Sequence, residues 1–108
     1  MQEAVLKIKK LGVPPEGFND DKFPVDKETL QIWDEWIDAI TSIECPITWD
    51  EAEILIKCAP IERMSGVEWT FLHCIESVFK HEVIEDYRNL IGKCNSEMMK
   101  DMLMNRLP

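Results

Sequence analysis

Two short strings set the register of this chain before its composition matters. Thr48-Trp49-Asp50-Glu51 and Ser65-Gly66-Val67-Glu68 each place a hydroxyl three residues ahead of a glutamate. At that spacing the hydroxyl accepts from the third helical amide and the carboxylate reaches back to the capping amide, so each string marks a helix start. Downstream, apolar side chains return every three or four residues: Ala52, Leu55, Ile56 and Ala59 after the first string, Trp69, Leu72, Ile75 and Phe79 after the second. That period belongs to a helix with one buried face, whereas a half-buried strand repeats every two residues.

The same reading extends along the chain. Ala4, Val5, Ile8 and Leu11 predict a helix over 2–11, with Gly12 at its C-terminal cap. Asp26 is a good N-cap for a helix over 27–43, in which Leu30, Trp33, Ile37 and Ile40 form the buried stripe and Trp36 and Ile43 widen it. Val83, Ile84, Tyr87, Leu90 and Ile91 predict a helix over 82–91 ended by Gly92. Asn95 is expected to cap a last helix that docks Met98, Met99, Met102 and Leu103. Between Pro14 and Pro24, Phe18 and Phe23 are expected to pack inward while Asn19, Asp20 and Asp21 turn outward. A short strand at Phe23-Pro24-Val25 is the one alternative left open. The expectation is therefore all-α: one compact domain over 1–108, a bundle of five to six helices around Trp33, Ile37, Leu55, Trp69, Leu72, Ile75 and Leu90. A chain of 108 residues suits a single core, and folding at that length removes roughly 60–70% of the unfolded surface from water.

Charge excludes several partners. Residues 1–10 carry three lysines and one glutamate, whereas residues 11–62 carry thirteen acids against three lysines; the whole chain has a net charge of −9. Nucleic acid and anionic lipid need clustered Lys and Arg, so neither is expected as a partner. Asp or Glu or Lys interrupts every apolar run before a membrane span could form, and residues 1–11 lack the continuous apolar stretch of a signal peptide, which leads to the expectation of a cytoplasmic protein. Cys45, Cys58, Cys74 and Cys94 contain no CxxC pair and are expected to be unpaired thiols, mostly acting as small core residues.

Residues able to do chemistry are few. His73 and Cys74 are sequence neighbours on a helix and point about 100° apart, so they do not form a nucleophile–base pair. His73 with Glu76, and His81 with Glu85, have helical spacing for sharing a metal, but each pair lacks further ligands nearby. A small metal-dependent enzyme using His73 and His81 is the rival reading. The preferred one has no catalytic group, no metal and no cofactor, and works by binding protein. Asp34, Glu35, Asp38, Glu44 and Glu53 lie where a helix dipole gives them no benefit. With Asp50 they are expected to form one negative surface across two antiparallel neighbouring helices, beside Trp49, which is either a lid on the core or an exposed anchor.

The segments Pro46-Ile47-Thr48-Trp49-Asp50-Glu51-Ala52-Glu53 and Ser65-Gly66-Val67-Glu68-Trp69-Thr70-Phe71-Leu72-His73-Cys74-Ile75-Glu76 resemble immunity proteins of bacterial polymorphic-toxin loci. The resemblance implies a cytoplasmic antidote that binds and blocks a cognate secreted toxin. The partner so implied is a basic toxin domain, for example a nuclease, which would complement an acidic surface. A generic helical adaptor or a phage-type inhibitor is the alternative within the binding class.

Overall fold

Six helix starts and their caps determine the architecture. The computed structural model describes residues 1–18 and 26–107, which form six α-helices, one 3₁₀ turn and no strand. These are α1 (Glu3–Leu11), α2 (Lys27–Ser42), α3 (Trp49–Ile56), α4 (Val67–Glu76), α5 (Ile84–Gly92) and α6 (Glu97–Asn105), with the 3₁₀ turn His81–Val83 leading into α5. The all-α expectation holds. The strand considered at 23–25, the inward packing of Phe23 and the outward turn of Asn19, Asp20 and Asp21 lie outside the described residues.

Two of the four expected start signals act as the sequence implies. The Asp26 carboxylate accepts from the Thr29 amide at 2.7 Å. Thr48 and Glu51 make both halves of the capping box. Two caps move by one residue. The N-cap of α4 is Gly66, at φ +99°, following Ser65 at φ +53°; this left-handed turn shifts the cap away from Ser65 and is a conformation glycine adopts without penalty. Glu68 still serves the helix start in another way, since its carboxylate accepts from the amides of Met64 at 2.9 Å and Gly66 at 2.8 Å. At α6 the N-cap is Ser96, not Asn95: its hydroxyl accepts from the Met99 amide. Gly92 closes α5 from inside the helix, with Lys93 at the C-cap.

Packing corrects the expected stripes on two helices. On α2, Leu30 is exposed and Ile37 only partly covered, while Trp33, Trp36, Ala39 and Ile40 are buried. On α4, Trp69 is 40% exposed and Phe71 is fully buried in its place. Trp36 and Phe71 stack with centroids 6.1 Å apart, joining α2 to α4 at the centre of the core. Leu55, Ile56, Leu72, Ile75, Leu90 and Ile91 fill the rest, and all are buried. At α6 the deepest side chains are Met99 and Leu103, with Met98 and Met102 packing at the edge.

The order of helices in space also differs from the expected α2–α3 hairpin. The backbones of α2 and α3 do not approach within 8 Å of each other, whereas α1 packs on both. Gln2 holds α1 in place. Its side chain donates to the Glu44 carbonyl at 2.9 Å and accepts from the Glu44 amide at 2.7 Å, and its own amide donates to Glu51 at 2.9 Å. At the other end of α1 the Trp36 indole donates to the Gly12 carbonyl, so α1 runs antiparallel to the second half of α2. The 12–18 connector is pinned by Trp33, which donates to the Pro15 carbonyl at 2.7 Å, by Phe18 edge-on against that indole, and by Glu62, which accepts from the amides of Gly17 and Phe18.

Candidate functional site

The seven expected site residues fall into two groups. Asp34, Glu35 and Asp38 lie on α2; Trp49, Asp50 and Glu53 lie on α3; Glu44 sits in the connector, its backbone clasped by Gln2. α1 packs on both α2 and α3, with Val5 and Ile8 of its apolar stripe buried, so the two groups stand on helices that α1 bridges and not on a directly packed α2–α3 hairpin.

Within the α2 group the charges are not equivalent. Asp34 and Asp38, one turn apart, are exposed, and neither has an ion-pair partner among the described residues. Glu35 is half-buried and lines a cleft between α1 and α2 together with Lys7 and Lys10. Glu3 lines the same cleft, so the lysines do not face Glu35 alone. The most exposed acids of the α2 group are Asp34 and Asp38.

On α3, Asp50 is exposed in the first turn, where the helix dipole favours it. Glu53 is not a free charge: Lys93 Nζ donates to both of its oxygens, at 3.1 and 2.9 Å. That hydrogen bond is the main reason its carboxyl titrates below the ordinary glutamate range. Trp49 is half-buried and packs on the core, and with Ile47, Val78, Lys80 and Val83 it lines a shallow cleft. Its half-burial covers part of the core and leaves the rest of the indole facing that cleft.

Among the described residues the exposed aromatic is Trp69. The Arg106 guanidinium lies 5.9 Å from the centre of its ring and the His73 ring 6.4 Å away. Glu76 joins the group, with one oxygen 3.3 Å from His73 Nδ1 and the other accepting from Arg106 Nε at 2.7 Å. The sequence carried a signal for this. Trp69, His73 and Glu76 are spaced at i, i+4 and i+7 and share one stripe, while Glu68, Phe71, Leu72 and Ile75 share the opposite, buried one. Placing Trp69 inside followed its hydrophobicity and ignored its polar companions.

His81 packs edge-on against Phe79, 5.2 Å between centroids. Among the described residues no group of three or more His, Cys, Asp or Glu side chains lies close enough to hold a metal ion. No helix among them is long and apolar enough to cross a membrane. All four cysteines are free thiols, with Cys45 exposed and Cys58, Cys74 and Cys94 buried. No family model, curated protein or solved structure matches this chain.

Proposed function

We propose that the chain is a non-catalytic binding protein whose partner presents a basic surface, and that it acts as an immunity protein neutralising a bacterial toxin domain. The observation that carries this reading is the exposed Asp34–Asp38 pair on α2, which has no ion-pair partner among the described residues, in a chain of net charge −9. A solvent-facing pair of like charges one helical turn apart weakens an isolated helix by a few tenths of a kcal/mol. A basic partner removes that cost and gains speed of encounter. The resemblance over residues 46–76 supports a toxin as that partner, and a nuclease is basic for the same electrostatic reason that it binds phosphates. Glu44 and Asp50 extend the negative field beyond α2, while Glu53 contributes least because Lys93 already neutralises it.

Co-expression with the toxin domain encoded by the neighbouring reading frame tests the proposal. The two chains are expected to purify as one complex and the cells to survive toxin expression. Cell death with both chains present and folded, and no complex on gel filtration, would refute it.

A further inference from the structure

We propose that Cys45 and Cys74 form a modification site at which a low-molecular-weight disulfide such as oxidised glutathione converts the two thiols to an intrachain disulfide. The Cys45 thiol donates to Cys74 Sγ across 3.5 Å, although the two residues are 29 apart in sequence. Forming a bond of about 2.05 Å from that separation needs a shift of about 1.5 Å, within reach of side-chain rotation. The connector that carries Cys45 is already fastened to the end of α4. The Ile47 amide donates to Ser77 Oγ at 3.1 Å, and that hydroxyl donates to the Cys74 carbonyl at 2.6 Å. The thiols are thus held together by neighbours that do not depend on their oxidation state.

The two sulfurs have different roles. Cys45 is exposed and meets the reagent; Cys74 is 4% exposed. The Cys45 thiolate attacks one sulfur of oxidised glutathione, the reagent's S–S bond breaks, and one glutathione thiolate leaves. Cys74 then attacks Cys45 Sγ in the mixed disulfide, releasing the second glutathione, whose sulfur takes up the Cys74 proton. Two protein thiols lose two electrons and one glutathione disulfide becomes two glutathione thiols. Burial, with the hydrogen bond and charge of Cys45 adding to it, pushes the Cys74 thiol up to about 12. Cys74 therefore resolves the exchange and does not begin it. The other buried thiols are placed differently: Cys94 donates to the Ser96 carbonyl, and Cys58 is covered by the core.

The test treats reduced, folded protein with oxidised glutathione and follows intact mass and a non-reducing peptide map. The expected product is lighter by two hydrogens, joins the Cys45 and Cys74 peptides, carries no glutathione, and melts at least about 5 °C higher than the reduced form. Cys74→Ser is expected to stop at a glutathione adduct on Cys45, and Cys74→Ala gives the same readout should serine be poorly tolerated. A wild-type protein that keeps the adduct unresolved, joins a different pair or does not react would overturn the proposal.

Discussion

Trp36→Ala is expected to remove about 3–5 kcal/mol of stability, the cost of truncating a large aromatic in a core that does not collapse around the space. Trp36 is fully buried and stacks on Phe71, so the loss falls on the contact that joins α2 to α4. Its indole also supplies the hydrogen bond to the Gly12 carbonyl, and removing the donor leaves that acceptor at the end of α1 without its partner. A domain of this size has about 5–15 kcal/mol in total, so the variant is left marginal. Urea unfolding followed by circular dichroism measures the change at an unaltered slope. Trp69→Ala is the internal comparison: Trp69 is 40% exposed, and its loss is expected to cost under about 1 kcal/mol. Equal effects at the two positions would contradict the placement of these side chains.

Glu51→Ala is the second large effect, expected at about 2–4 kcal/mol, because one carboxylate serves two helix ends. Glu51 is 2% exposed. It accepts from the Thr48 amide that opens α3 and from the Gln2 amide that opens α1, both at 2.9 Å. Without it, two amides lose their acceptor and the clamp between α1 and the α2–α3 connector loosens. The Thr48 hydrogen bond, with help from Gln2, outweighs burial and holds the Glu51 carboxyl below its ordinary value of 4.5. At Glu68 burial pushes the carboxyl up, but the amides of Met64, Glu68 and Gly66 and the Arg63 charge together pull it below the same value. A carboxyl depressed by folding stabilises fully above its unfolded value and loses that contribution as pH falls through 4.5 and on through the folded value. The melting temperature is therefore expected to drop as pH is lowered from 5 towards 3, on the order of the range over which such groups titrate. Glu51→Gln is expected to flatten that drop while lowering the plateau near neutrality. An identical acid limb in the two proteins would remove Glu51 from the account.

The helices were legible because their start signals are chemical and local. Asp26, Thr48 with Glu51, and the carboxylate of Glu68 need only the next few amides to act, and each acts in the fold. Which face of a helix is buried was less legible where two apolar stripes overlap. In α4 the run Val67-Glu68-Trp69-Thr70-Phe71-Leu72 supplies a large aromatic on either stripe, and the choice of Phe71 was made by its stacking against Trp36 on another helix. In α2 the stripe through Trp36 and Ala39 displaced the one through Leu30 for the same reason, since α1 and α4 cover it. The site was least legible. A short connector between α2 and α3 suggested direct neighbours, but the N-terminal helix bridges them instead, guided by Gln2, whose polar side chain gave no periodic signal. The lysines of α1 thereby come beside Glu35, a juxtaposition that counting charge along the chain does not reveal.

Electrostatic recognition of a basic partner has a kinetic signature that distinguishes it from mere solvation of a helix surface. With a basic toxin domain as the proposed partner, changing Asp34, Glu35 and Asp38 together to Ser is expected to leave the circular dichroism spectrum and melting of the free chain intact. The association rate at low salt is expected to fall by about tenfold, most of it from Asp34 and Asp38, with a smaller change in dissociation. The wild-type rate itself is expected to decline as added salt shortens the Debye length from roughly 30 Å at 0.01 M to about 8 Å at 0.15 M. The measurement is stopped-flow association of wild type and triple variant across that salt range. Convergence of the two rates at high salt is the result this account predicts; equal rates at low salt would contradict it.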